Sequence, residues 1–251
     1  MKWKVFFASA TGKYHLASDV PCQDSGSYQV VDDFLIGVVC DGAGSASSGQ
    51  AGAEFFSREV SRLIADAIRS GQFQQDAQAD YRAYLAAIIL TARAELNETA
   101  EARGLTLRDF ACTLVGCVTS RAGGCFFHIG DGFAICMQED GGSVLSLPEN
   151  GEHSDETYFV TDDSWSEHLR VTVLAEIGMG GVIGLMSDGT SPFAINRPRT
   201  GFYRPFIDPV VKFLKNASEE NGSLALKNVL ADEKTFEITS DDKTLLLALA
   251  G

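Results

Sequence analysis

The chain has 251 residues, 45% of them hydrophobic and 22% charged, with 34 acidic against 20 basic side chains and a formal net charge of −14. Such a composition suits a folded globular protein with a sizeable core, in one large domain or two small ones. The acidic surface repels nucleic acid and anionic membranes, which excludes both as expected partners.

No apolar run approaches the roughly 20 residues that span a bilayer. The apolar part of residues 1–10 is too short for an export signal, so it reads as a first strand. Residues 4–9 and about 28–40 read as strands, the second ending in Phe34-Leu35-Ile36-Gly37-Val38-Val39-Cys40 and running into Asp41-Gly42. A small-residue loop over 42–48 leads to a helix from about Gly49, with Ser47 or Ser48 as its cap. Ala53, Phe56, Val60, Leu63, Ile64 and Ala67 share one face of this helix, and Ser70-Gly71 ends it. After a polar bridge over 72–80, a second helix carries Tyr81, Leu85, Ile88, Ile89, Ala92 and Leu96 as its buried stripe and stops at Gly104. Both helices are one-sided, so each is expected to lie on a sheet.

Strands follow over 110–119, 125–130 and 133–137, with turns at 121–124 and 140–142, a meander that points to antiparallel sheet. Residues 148–170 are polar and irregular. Strands return over 171–175 and 182–187, the second running into Asp188-Gly189; loop and helix are expected over 191–235. A last strand covers 243–249, preceded by Ser240-Asp241-Asp242. With no linker, repeat or low-complexity tract, one domain over 1–251 is expected. The six cysteines, Cys22, Cys40, Cys112, Cys117, Cys125 and Cys136, contain no Cys-x-x-Cys, and five lie in or beside apolar runs. That is the pattern of buried, reduced thiols in a cytoplasmic protein.

Five acidic sites flank the apolar strands: Asp24, Asp41, Asp131, Asp188 and the Asp241/Asp242 pair. Three have the form apolar run, Asp, Gly. If the strands pack side by side, their ends gather these acids at one edge, where crowded carboxylates repel and lose hydration. A divalent cation relieves that cost, and an all-oxygen donor set selects Mg²⁺ or Mn²⁺. The other reading is a set of unrelated turns, as Asp140-Gly141 is read, because it follows Gln138-Glu139 rather than an apolar run.

The chain resembles the metal-dependent serine/threonine protein phosphatases of the 2C type, in their bacterial branch. The resemblance lies in Pro21-Cys22-Gln23-Asp24, Cys40-Asp41-Gly42-Ala43-Gly44-Ser45, Ala111-Cys112-Thr113-Leu114, His128-Ile129-Gly130-Asp131-Gly132, Met186-Ser187-Asp188-Gly189-Thr190 and Asp241-Asp242-Lys243-Thr244-Leu245, in the family's order. Residues 151–157 also resemble a loop of compact bacterial members. The resemblance implies an α+β, four-layer αββα sandwich of two mainly antiparallel sheets flanked by helices. It implies two Mn²⁺ or Mg²⁺ ions, with Asp41 bridging them, Gly42 lending its carbonyl, Asp188 and Asp241 ligating, and Asp24 holding water. Asp131 matches an acid of a third, weaker metal site. The implied reaction is hydrolysis of phosphoserine or phosphothreonine by an activated water, with no phosphoenzyme. The implied substrate is a phosphorylated protein, a cytoplasmic serine/threonine kinase or its target, and a monomer is expected.

The chain departs from the family in three places. Asp19 stands where typical members carry the phosphate-binding arginine, which leaves Lys13 and His15 as the nearest phosphate donors. Ala43 stands where many eukaryotic members carry a histidine proposed to protonate the leaving group. Asp242 stands where an asparagine is usual. His128 reads as a sheet residue, and His153 and His168 as loop residues without partner spacing. A nucleotide-binding reading of Gly42-Ala43-Gly44 fails because Ser47 occupies the third glycine's place. The rival to an enzyme is a phosphatase-like regulator that binds a kinase or phosphoprotein; a phosphatase for small phosphate esters is a third reading.

Overall fold

The computed structural model describes residues 2–73, 80–149 and 157–251. His153, and all but the last residue of the 151–157 loop, lie outside the described residues. The chain opens with β1 (Trp3–Ala10), the helical turn α1 (Lys13–Ala17), the hairpin β2 (Asp24–Val31) and β3 (Phe34–Asp41), then α2 (Gly49–Arg69) and α3 (Tyr81–Glu101). Two hairpins follow, one in each sheet: β4 (Leu114–Ser120) with β5 (Gly123–Ile129), and β6 (Phe133–Met137) with β7 (Ser143–Ser146), so the expected meander is broken between β5 and β6. The short α4 (Trp165–His168) leads to β8 (Arg170–Leu174) and β9 (Val182–Met186). The helices α5 (Ser191–Ala194), α6 (Arg204–Leu214), α7 (Glu219–Leu230) and α8 (Glu233–Phe236) precede β10 (Lys243–Ala250).

The strands form two five-stranded sheets, in the orders β1-β10-β9-β6-β7 and β2-β3-β4-β5-β8. Neighbouring strands are antiparallel throughout. Three buried layers hold the sheets and helices together. Ile36, Val38 and Cys40 of β3 join Phe56, Val60, Ile64, Leu85 and Ile89 beneath α2 and α3. The alternate residues of the same strand, Leu35 and Val39, point to the other sheet and meet Leu185, Leu246 and Ala248. Leu245, Leu247 and Leu249 of β10 pack with Ile207, Leu214 and Leu226 beneath α6 and α7. This is the αββα sandwich expected, and it explains the near-continuous apolar runs: strands in the two middle layers bury both faces.

The structure also corrects the element reading in several places. The stretch 28–40 is a hairpin, not one strand, because Asp32 adopts a left-handed φ of 54° and turns the chain between Val31 and Phe34. The strand expected from residue 110 starts at Leu114, because a 3₁₀ turn over Leu107–Phe110 precedes it, closed by a capping box between Thr106 and Asp109. β7 had no counterpart in the sequence reading. Both one-sided helices lie on a sheet, as expected; it is the same sheet for both, with α3 lying partly on α2.

The N-terminal turn of α2 sits against the 3₁₀ turn so closely that a Cβ on Gly52 would lie 2.0 Å from the Phe110 carbonyl oxygen. This seat anchors the loop that follows Asp41, since Ala43 N–H donates to the Ala111 carbonyl at 2.9 Å and Ser48 N–H to that of Asp109 at 2.8 Å. Gly52→Ala is therefore expected to destabilise the protein by about 1–3 kcal/mol, although alanine favours a helix by about 1 kcal/mol over glycine. A urea midpoint that rises in this variant would contradict the close seat.

Candidate active site

Asp24 opens β2 and Asp41 closes β3, and the two residues are register partners across the hairpin. Asp188 lies two residues past the end of β9, and Asp241 and Asp242 lie just before β10; β9 and β10 pair with each other in the sheet that does not hold β2 and β3. Asp131 sits in the turn between β5 and β6, which belong to different sheets. Both sheets thus deliver carboxylates to one edge. Gly189 makes the approach possible there: a Cβ at this position would lie 2.0 Å from the Asp242 carbonyl oxygen, so no other residue fits without displacing the Asp241-Asp242 backbone.

The acids open onto a cleft of about 580 Å³. Asp41, Asp131, Asp188 and Asp241 line it, with the backbone of Gly42, Ala43 and Gly44. His15, Gln23, Ser45, Thr113 and Thr157 add polar groups, and Tyr14 and Phe159 add aromatic ones. Asp24 lies behind this lining, 7% exposed. Its Oδ2 accepts a 2.7 Å hydrogen bond from Ser187 Oγ, which in turn accepts the Thr244 N–H at 3.0 Å. Thr113 Oγ1 accepts the Asp41 N–H at 3.1 Å, and Thr157 Oγ1 donates to Asp131 Oδ2 at 2.5 Å.

The electrostatics are those of a cluster short of positive charge. Burial pushes the Asp24 carboxyl up to about 7, against the hydrogen bonds from Ser187 and Thr244, with Asp242 and Asp188 adding repulsion. Burial also raises Asp188 to about 7, helped by Asp131 and Asp241. Asp41 is driven well above the usual carboxylate range by loss of hydration, then by Asp24, Asp188, Asp241 and Asp131. Asp241 shifts upward for the same first reason. Asp24 Oδ1, Asp131 Oδ1 and Asp188 Oδ1 are buried without a hydrogen-bond partner among the described residues. Buried carboxylate oxygens left unpaired are costly, and oxygen-only donors under mutual repulsion match hard divalent cations such as Mg²⁺ and Mn²⁺. Among the described residues no three Asp, Glu, His or Cys side chains already stand at ligating separations, so the fit is one of donor chemistry and unsatisfied charge.

Of the two phosphate-donor candidates, the structure brings His15 into the cleft and leaves Lys13 exposed and outside its lining. Asp19 is exposed as well, with a left-handed φ of 55°. His128 is fully buried in β5, where its Nδ1 meets Ser146 Oγ at 3.1 Å. Burial, then the Arg170 charge, lowers its pKa to about 3. His168 stacks on Tyr158 with ring centroids 3.4 Å apart and lies 3.7 Å from Glu149, partners that spacing did not reveal. Cys22 is half-buried, the other five cysteines are buried, and all six are free thiols.

Sequence reasoning gave Asp242 no definite role and overlooked Gln23, Thr113 and Thr157. Asp242 is 2% exposed and ties three segments together. Its Oδ1 accepts the Gly12 N–H at 2.7 Å; its Oδ2 accepts the Gln23 N–H at 2.6 Å and lies 2.9 Å from His15 Nδ1. The adjacency of two acids before a strand was visible, but nothing local separates the one facing the cleft from the one facing the protein.

A family model for protein phosphatase 2C matches residues 11–231. The chain is 32% identical over 258 residues to serine/threonine-protein phosphatase 3 of Escherichia coli (strain K12), covering 99% of each. Its fold is similar to that of a bacterial serine phosphatase crystal structure, with 14% identity, a TM-score of 0.67 and coverage of 100% of this chain and 98% of that one. It is also similar to that of RsbX in complex with magnesium, with 16% identity, a TM-score of 0.54 and coverage of 99% and 96%.

Proposed function

Because the chain belongs to the protein phosphatase 2C family, we propose that it hydrolyses phosphoserine and phosphothreonine esters on proteins, with water as the nucleophile and no phosphoenzyme. The observation that carries this reading is the set of orphaned carboxylate oxygens of Asp131 and Asp188 in the cleft lining and of Asp24 behind it. Asp41, Asp188, Asp241 and the Gly42 carbonyl would hold two Mn²⁺ or Mg²⁺ ions, and Asp131 would serve a third, weaker one. When bound, such a pair lowers the pKa of water toward neutrality and offsets the charge of the phosphoryl group. Asp24, fixed by Ser187, accepts a hydrogen bond from water in the site. His15 and the hydroxyls of Ser45 and Thr113 are donors the cleft offers to substrate oxygens, in place of the arginine that Asp19 replaces, while the Thr157 hydroxyl is already engaged by Asp131.

The substrate class is a phosphorylated protein, a cytoplasmic serine/threonine kinase or its target, and the chain acts as a monomer with one domain over 1–251. Turnover of p-nitrophenyl phosphate and of a phosphothreonine peptide, each with Mn²⁺, Mg²⁺ or EDTA, tests the reading. Cation-dependent hydrolysis of the peptide is expected. No hydrolysis of either substrate under any condition would sink the enzyme and leave the phosphoprotein-binding regulator; hydrolysis of the small ester alone would leave the small-ester phosphatase.

A further inference from the structure

We propose that His15 is the general acid that protonates the departing serine or threonine oxygen, with Asp242 as the residue that positions it; this rests on the phosphatase reading above. His15 lines the same cleft as Asp41, Asp188 and Asp241, and its Nδ1 lies 2.9 Å from Asp242 Oδ2. Asp242 is already fixed from two other directions by the Gly12 and Gln23 backbone N–H groups, so the carboxylate does not depend on His15 for its place. The imidazole is the group being held. A carboxylate on Nδ1 sets the tautomer, stabilises the imidazolium and turns Nε2 toward the reacting group. Among the described residues no hydrogen bond engages Nε2.

Among the described residues His15 is the one imidazole that lines the cleft; the carboxyls there are assigned to the cations, and Tyr14 is largely exposed. Ala43 carries no proton donor. The Ser45, Thr113 and Thr157 hydroxyls and the Gln23 amide bond to oxygens but do not release protons near neutral pH. The step balances as follows. Water attacks phosphorus and forms a new P–O bond while the bond from phosphorus to the alkyl oxygen breaks. The proton on Nε2 passes to that oxygen and yields the neutral alcohol. The attacking water gives one proton to solvent, and the imidazole regains one from solvent, so ester and water become alcohol and hydrogen phosphate.

An alkoxide needs that proton and a nitrophenolate does not, which makes the role separable from phosphate binding. With Mn²⁺, His15→Ala is expected to lose on the order of 10²-fold in kcat on a phosphothreonine peptide, and only about a tenth as much on p-nitrophenyl phosphate. His15→Gln, which keeps a hydrogen-bond donor, should match alanine, and Asp242→Asn should show a smaller loss with the same substrate bias. In the metal-free protein, ¹⁵N-histidine NMR should show a protonated Nδ1 on the resonance that His15→Ala removes. Equal losses on both substrates, no loss on either, rescue by glutamine, or an unprotonated Nδ1 would each overturn the proposal. A parent protein that turns over neither substrate would overturn the phosphatase reading, and this one with it.

Discussion

Asp41→Asn should lower cation-dependent kcat/KM by on the order of 10³-fold or more. Asp41 is the carboxylate on which the other acids converge: Asp24 is its register partner, and Asp24, Asp188, Asp241 and Asp131 all repel its charge. Asparagine keeps the shape and one carbonyl oxygen but removes the negative charge at the centre of the set. Loss of the fold would be a trivial cause of inactivity, and stability separates the two. Removing one of five mutually repelling carboxyls should raise the melting temperature of the metal-free protein, by roughly 2–4 °C for each kcal/mol of repulsion relieved in a chain of this size. The same change should blunt the stabilisation that Mn²⁺ confers. Asp140→Asn is the control: Asp140 is exposed and its Oδ1 only accepts the Gly142 N–H within its turn at 2.9 Å. Its kcat/KM should stay within about two-fold of the parent, as surface changes away from special features usually do little. An Asp41→Asn enzyme of near-parental activity, or one that melts lower without cation, would remove Asp41 from the centre of the site.

Much of this arrangement was legible in the sequence because its signals are local. An apolar run ending in Asp-Gly reports a strand end at Asp41 and Asp188 whatever the rest of the chain does. The same runs, buried on both faces, advertise the two middle layers. Other features depend on contacts that no window contains. The β2–β3 hairpin turns on Asp32 and Asp33, not on glycine or Asn-Gly, so its two strands read as one. β7 is four residues with serine at both ends, too short and polar to stand out until it pairs with β6. The cleft-facing place of His15 comes from Asp242, which lies 227 positions away. Lys13, two residues earlier on the same helical turn, is exposed and outside the cleft lining. Sequence distance to the missing arginine treated these two alike; the fold separates them.

In EDTA, the stability of the protein is expected to fall as pH rises from about 4 to 7, the reverse of common behaviour. Asp24 and Asp188 titrate near 7 in the folded protein against an ordinary value of 3.8, and Asp41 and Asp241 are shifted the same way. The folded state therefore holds more protons than the unfolded chain across that window. Their contribution is fully present below the ordinary value and is lost as pH climbs through the folded one. His128 works against them. Its folded pKa of about 3 lies below the ordinary 6.5, so its contribution is present above 6.5 and is lost as pH falls. One buried histidine stands against four carboxyls, and the carboxyls set the sign. Saturating Mn²⁺ should invert it, because carboxylates facing cations stay ionised in the folded state and His128 is left to set the slope. At a hundredfold excess over Kd the cation adds about 2.7 kcal/mol. Urea midpoints at about pH 5 and pH 7 should thus be higher at pH 5 in EDTA and higher at pH 7 in Mn²⁺. His128→Gln should flatten the Mn²⁺ series alone. Midpoints that move the same way with pH in both solutions would mean that the cluster is not held together by cation charge, because relief of carboxylate repulsion is the one contribution that changes sign between them.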